Sequence, residues 1–303
     1  MVVSSQYSRK TQMKIDKVIF SCSASAEYGP FWNIQSKVFS HMGIEPLCLL
    51  FGKKEDAGMV ETHGKIIEMT IDPSLPWILQ LILSKFYYPM SEPETTWLVG
   101  DIDMVPLQKA WFTSNIQEFS DDTYVHLNHA GISLPRLGIA NGFLTRGPLV
   151  LGTPQNPGTD VPGHYHVAKG KLFEIYRHGE DFTSLVKYVA ESHRYGLGAS
   201  EGKPREDAMT NPYWYYWCSE EMYTSEQIWN AIKAKSLRYV GRAYNNSNNA
   251  HRVDRSNWSD NKSDYSYDAH RVAAGEFVDV HCARPYAKQE AALSKLISLA
   301  GML

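Results

Sequence analysis

Cysteine is scarce. The 303 residues hold four, Cys22, Cys48, Cys218 and Cys282, widely spaced and with no Cys-x-x-Cys pair, so neither a zinc knuckle nor a disulfide scaffold is indicated and reduced thiols are expected. Long apolar runs are also missing. The most apolar stretch, residues 75–83, contains Pro76 and Gln80 and is followed by Lys85, far short of the roughly 20 residues a membrane span needs, and it reads as a packed helix. The first residues are polar, with no apolar segment leading to a cleavage site, so neither a secretory signal nor an anchor is expected and the chain reads as soluble and cytoplasmic. The Asn-x-Ser triplets at Asn245, Asn257 and Asn261 are then read as polar loop. Charge of one sign is lacking as well: 30 basic against 33 acidic residues give a net charge of -3, which excludes recruitment of nucleic acid or an anionic membrane by a global field. With 43% hydrophobic residues, disorder is excluded and the chain has enough apolar side chain for a large core.

What is present is an alternation of strands and helices. Residues 17–21 and 46–51 are short apolar runs, and between them Phe31, Ile34, Val38, Phe39 and Met42 recur at helical spacing. The pattern repeats with a strand at 65–71, a helix at 76–88 and a buried strand at 96–100. Such alternation predicts an α/β fold with a mostly parallel central sheet and helices on both faces, in which ligands bind beyond the carboxyl ends of the strands. Further along, a helix is expected at 107–117, a strand at 123–127, a Gly/Pro-rich loop at 147–163, helices at 172–177, 182–193 and 220–235, a polar surface loop at 245–268, a strand at 276–280 and a helix at 286–300. The expected organisation is a tail at 1–16, a ligand-binding half at 17–128, and a second half at 129–303 that shapes the site within the same compact domain.

The strongest chemical signal is Trp97-Leu98-Val99-Gly100-Asp101-Ile102-Asp103. A central-strand sequence runs straight into two carboxylates two residues apart, which places both acids beside the ligand crevice. Their mutual repulsion is relieved by a hard divalent cation, Mn²⁺ or Mg²⁺, which takes oxygen ligands and leaves positions for substrate phosphates. A second signal is Tyr213-Trp214-Tyr215-Tyr216-Trp217-Cys218-Ser219-Glu220-Glu221. Aromatic faces stack on the apolar faces of sugar rings, and an acid just beyond, Glu220 or Glu221, is placed to accept a proton; the same acids also suit a helix N-terminus.

At these residues the chain resembles the GT-A fold nucleotide-sugar glycosyltransferases, whose Asp-x-Asp motif binds a metal–diphosphate complex at a strand end. The resemblance extends to glycogenin-like and lipopolysaccharide-galactosyltransferase-like members, in which a helix with a basic residue precedes that strand; Lys85 in Ser84-Lys85-Phe86-Tyr87-Tyr88-Pro89 takes this place. Those members close the metal site with a late histidine. Here Val280-His281-Cys282-Ala283-Arg284-Pro285-Tyr286 is a shortened form, which implies His281 as a third metal ligand beside Asp101 and Asp103 and Arg284 as a diphosphate contact. The resemblance also implies that the junction after the first strand, Ser21, Ser23 and Ser25 with Tyr28 beyond, cradles the donor's base and ribose. His164 and His166 fall where the family contacts the donor sugar; a zinc hydrolase built on them lacks further ligands at recognisable spacing.

The function this implies is metal-dependent transfer of a sugar from a nucleoside diphosphate sugar, a UDP-sugar, to a hydroxyl of a glycan acceptor. Glu220 or Glu221 serves as base in an inverting reaction, and no such base is needed in a retaining one, which is what the glycogenin-like resemblance implies. A nucleotidyltransferase is the rival enzyme, but its Gly-rich phosphate loop is replaced by Ser21-Cys22-Ser23-Ala24-Ser25. A non-catalytic carbohydrate-binding protein would leave the acidic pair without a purpose. Asp254, Asp260, Asp264 and Asp268 are read as a solvated loop face.

Overall fold

The computed structural model describes residues 12–127, 139–140, 143–144, 163–192, 195, 210–216, 219–242, 252–253 and 266–303. Strands β1 (Lys17–Ser23), β2 (Glu45–Phe51) and β3 (Lys65–Met69) run parallel, with helix α1 (Phe31–Met42) crossing from β1 to β2. The helix stops at Gly43, whose φ of 81° is left-handed and whose N–H closes on the carbonyls of Phe39 and Ser40; glycine adopts this conformation without a Cβ penalty. Helix α2 (Trp77–Tyr87) leads through a 3-10 turn to β4 (Thr96–Val99), parallel to β1. All four residues of β4 are buried, as expected for a strand covered on both faces.

The chain continues through β5 (Met104–Pro106), α3 (Lys109–Thr113), β6 (Thr123–Leu127), the short pair β7 (Ile139–Ala140) and β8 (Phe143–Leu144), and β9 (His166–Lys169). Then come a 3-10 helix (Gly170–Tyr176), α4 (Phe182–Ser192), α5 (Pro212–Tyr215), α6 (Ser219–Lys233), β10 (Arg238–Arg242), β11 (Arg252–Val253), α7 (Ser266–Ala273), β12 (Asp279–His281) and α8 (Tyr286–Leu299). The main sheet has seven strands in the order β10-β6-β9-β4-β1-β2-β3. It is mostly parallel, with β9 antiparallel to both of its neighbours. A three-stranded sheet, β11-β12-β5, stands apart from it.

Alternation along the strands divides the core between two faces. Val18, Phe20 and Leu98 face α1 and the buried side of α8, where Leu293, Leu296 and Ile297 lie. Ile19, Trp97, Val99 and Tyr124 face α2, α4 and α6. Helices therefore cover both faces, as the sequence pattern predicts. Among the described residues no helix is long and apolar enough to cross a membrane.

Several expected elements differ. The strand expected to reach Ile71 ends at Met69, and the helix expected over 107–117 is a short helix followed by a 3-10 turn, Ser114–Ile116. The helix expected at 172–177 is the 3-10 helix, and the strand expected at 276–280 is shifted to Asp279–His281. The stretch expected as one polar loop contains β11 and the start of α7. Of the Gly/Pro-rich loop expected at 147–163 all but Gly163 lies outside the described residues, as do the Asn-x-Ser triplets, Trp217, Cys218 and the side chains of Asp254, Asp260, Asp264 and Asp268.

Candidate active site

At the carboxyl ends of β1 and β4 the chain must turn sharply. Gly100 makes the turn possible, because a Cβ there would strike the Phe20 ring, and its N–H donates to Ile19 O at 2.9 Å. The acidic turn that follows is pinned from α1. The buried amide Nε2 of Gln35 lies 3.3, 3.2 and 2.6 Å from the carbonyls of Asp101, Ile102 and Met104. Cys282 N–H donates to Asp103 O at 2.8 Å, which ties the turn to β12.

Beyond this turn lies a pocket of about 330 Å³. Ten of the twelve residues singled out from the sequence line it: Ser21 and Ser23 at the end of β1; Lys85 on α2; Asp101 and Asp103; His164; Glu220 and Glu221 at the start of α6; and His281 and Arg284 from the β12–α8 segment. Ser25 and His166 are not among its lining residues. Ser25 instead shapes the turn into α1, its carbonyl accepting from Tyr28 N–H at 3.2 Å and Gly29 N–H at 2.8 Å.

His166 is fully buried within the opposite core. Its Nδ1 is 3.0 Å from Tyr124 Oη, and its ring stacks on His126 with centroids 4.5 Å apart. Its expected contact with the donor sugar is therefore corrected. Strand alternation would put His164 and His166 on the same face, but Tyr165 between them has φ of 62°. That left-handed residue breaks the alternation and sends the two histidines in different directions.

The charged groups form two sets. Asp101 pairs with Lys85, and its Oδ2 lies 3.6 Å from His164 Nδ1. Lys85 is buried; burial alone pulls its pKa down, and Asp101, Glu220 and Glu221 outweigh that and hold it above the ordinary lysine value. Asp103 Oδ2 lies 3.8 Å from both His281 Nε2 and Arg284 Nε. Glu220 is enclosed, and its Oε2 has no hydrogen-bond partner among the described residues. Burial foremost, with Asp101 adding to it against Lys85, raises its pKa to about 7. Glu221 has a different environment, its Oε1 accepting from Gly163 N–H at 3.2 Å.

The donor chemistry fits a hard divalent cation in part. A carboxylate oxygen and an imidazole nitrogen 3.8 Å apart are close enough to share an ion whose ligands stand about 2.1 Å away. Asp101, turned to Lys85, is not brought into that set. Among the described residues no group of three His, Cys, Asp or Glu side chains is placed to hold an ion by itself.

Apolar and aromatic side chains line the same pocket. Trp77, Ile78, Leu81 and Ile82 come from one side of α2, with Tyr213 and Tyr216 beside them. Trp77 and Tyr213 stack at 6.1 Å with an 18° interplanar angle. Tyr213 Oη is 3.5 Å from Tyr28 Oη, and Arg284 lies over the Tyr28 ring at 4.7 Å.

Trp77, Ile78, Leu81 and Ile82 of α2, read from the sequence only as a packed helix, were missed as pocket lining, and two polar residues of the site, Gln35 and Arg252, were not found either. Gln35 left a readable trace, as a polar residue inside an apolar helical stripe. Arg252 lines the pocket and forks onto the fully buried Asp279, with Nε 2.7 Å from Oδ1. Nothing in the surrounding Asn/Ser/Asp-rich sequence marks it.

The architecture is the mostly parallel α/β sheet with helices on both faces that a GT-A fold implies. No family model matches the chain, and no curated protein matches it. Among solved structures it is similar to the galactosyltransferase LgtC in complex with donor and acceptor sugar analogues, at 14% identity, covering 95% of this chain and 96% of that one, with a TM-score of 0.38. It is also similar to UDP-glucose pyrophosphorylase from Acinetobacter baumanii, at 9% identity over 76% of this chain and 86% of that one, TM-score 0.37. A third likeness is to the apo-form glycosyltransferase GlyE of Streptococcus pneumoniae TIGR4, at 12% identity over 93% and 84% of the two chains, TM-score 0.29.

Proposed function

We propose that the chain is a glycosyltransferase that moves a sugar from a nucleoside diphosphate sugar, a UDP-sugar, to a hydroxyl of a glycan acceptor. The observation that carries this reading is the convergence of Asp101, Asp103, Lys85, His281 and Arg284 on one pocket that Tyr28, Trp77, Tyr213 and Tyr216 also line. The charged side chains suit a diphosphate and the aromatic ones suit the apolar faces of a sugar ring.

Asp103 and His281 would hold Mn²⁺ or Mg²⁺, with the diphosphate filling further positions, and the bound cation supplies Lewis-acid stabilisation of the leaving diphosphate. Lys85 and Arg284 add fixed positive charge toward the same oxygens. Asp101, oriented by Lys85 and His164, faces the donor, and Ser21 and Ser23 at the end of β1 allow its close approach. Glu220 takes the proton. An enclosed carboxyl with a pKa near 7 is poised as a base at neutral pH, whereas Glu221 is engaged by Gly163. In the transfer, the acceptor oxygen forms a bond to the anomeric carbon and the acceptor proton passes to Glu220. The bond from the anomeric carbon to the diphosphate oxygen breaks, and its electron pair leaves with the diphosphate.

The test is a panel of nucleotide sugars incubated with manganese and candidate acceptors, with products resolved by mass. Release of nucleoside diphosphate together with a glycosylated or hydrolysed sugar supports the reading. Release of nucleoside monophosphate and sugar phosphate would point to a nucleotidyltransferase. Full turnover by the Asp101→Ala, Asp103→Ala double variant in chelator would sink the proposal.

A further inference from the structure

A buried histidine outside the pocket is hydrogen-bonded to the main chain of one of the pocket's residues. His126 lies on β6, is 1% exposed and does not line the pocket. Its Nε2 is 3.1 Å from the main-chain carbonyl of His164. A carbonyl oxygen only accepts, so Nε2 carries the proton. In the neutral ring Nδ1 is then an acceptor, and it lies 3.3 Å from Tyr239 Oη on β10, whose hydroxyl donates to it. Burial keeps the ring neutral, lowering its pKa to about 3, so the tautomer is fixed by its two partners.

This contact falls where the backbone is under constraint. Tyr165, next to His164, is a non-glycine residue with φ of 62°, a conformation that persists only when its surroundings over-determine it. Tyr165 N–H donates to Val99 O at 2.6 Å and Leu127 N–H donates to Tyr165 O at 2.8 Å. Together with His126, these bonds clamp residues 164 and 165 between β4 and β6. The clamp turns the His164 side chain out of the strand pattern and toward Asp101.

We infer that His126 is a positioning residue: through the His164 carbonyl it holds the His164 imidazole against Asp101 and so sets the orientation of the acidic wall of the pocket. Its effect on donor binding rests on the proposed function; its effect on geometry does not. Loss of one buried positioning hydrogen bond is expected to change affinity by about tenfold.

The test uses the full chain, with folding checked by circular dichroism and melting. His126→Leu removes the donor, and His126→Gln presents an amide that can replace it. Affinity for UDP in the presence of manganese is measured by calorimetry for both, for His164→Ala, and for the His126→Leu, His164→Ala double variant. His126→Leu is expected to weaken binding about tenfold, His126→Gln to restore most of it, and the double variant to bind no more weakly than His164→Ala alone, since a residue acting only through His164 has nothing further to lose.

Crystal structures of the two single His126 variants supply the second readout: His164 leaves Asp101 in His126→Leu and stays in His126→Gln. If His126→Leu does not fold, Tyr239→Phe takes its place, with a smaller loss of the same non-additive kind. An unmoved His164 in the folded leucine variant overturns the inference, as do losses that simply add. If the unaltered protein does not bind UDP with manganese, the donor-site reading fails, and the position of His164 in the variant structures still decides the role of His126.

Discussion

Glu220 is the residue whose environment makes the sharpest demand. Its carboxyl titrates near 7 rather than at 4.5 because burial disfavours the charge. A base must be deprotonated, so turnover is expected to fall as pH drops below about 7, and a pH–rate profile checks this. Glu220→Gln should lose roughly a hundredfold or more in kcat and lose that limb of the profile. The same shift bears on stability. Between pH 4.5 and 7 the folded protein retains a proton that the unfolded chain has released, so this group's contribution is complete below 4.5 and is lost as pH rises through about 7. The glutamine variant carries no such penalty, and at pH 8 it should melt higher than the parent by a few degrees in a thermal scan. Gln35 makes the opposite demand. Its amide serves three carbonyls of the acidic turn; Asp101 O also accepts from Met104 N–H, so Gln35→Leu removes a donor from the buried Ile102 and Met104 carbonyls at about 1–3 kcal/mol and should lower turnover along with stability in urea titrations.

The elements show which parts of the architecture can be read from local pattern. β1, β2, α1, α2 and β4 declare themselves because buried parallel strands are unbroken apolar runs and their crossover helices keep a clear stripe. β10 does not, since Arg238-Tyr239-Val240-Gly241-Arg242 carries charge at both ends of an edge strand. β11 is only two residues long, too short for any periodicity to register. The acidic turn was legible because its residues are adjacent in sequence, and His281 and Arg284 through the resemblance. His126 and Arg252 act through contacts between residues distant in the chain, which no local spacing encodes; Gln35 shows in the sequence as a polar break in an apolar stripe, but its partners do not.

At this scale the joint between β11 and β12 is exposed to a direct test. Arg252 and Asp279 form a buried pair across it, and Asp279→Ala strands a guanidinium, with an expected cost of about 3–5 kcal/mol in chemical denaturation. Replacing both partners by apolar residues of similar size should cost less. Gly170, at the join between β9 and the 3-10 helix, packs so closely that an added Cβ would collide with the carbonyls of Pro89 and Glu92. Gly170→Ala is expected to destabilise by about 1–3 kcal/mol, read from the same titrations.

For the molecule as a whole, a ligand that binds only the folded state raises stability by mass action. UDP with manganese at a hundredfold excess over Kd should add about 2.7 kcal/mol, a rise of roughly 5 °C in Tm, abolished by chelator and by Asp103→Ala. The sheet order has a separate consequence for how the chain is made. Among the described residues β6 pairs with β9 and β10, both later in the sequence, so a nascent chain ending near residue 127 has β6 bare on both sides and β4 open on one. Ribosomes must therefore extrude some forty further residues before β9 fills the gap, and in that interval the newborn polypeptide offers sticky rims to any neighbour. Chaperone dependence during synthesis, rather than weakness of the finished molecule, is where this topology should be felt.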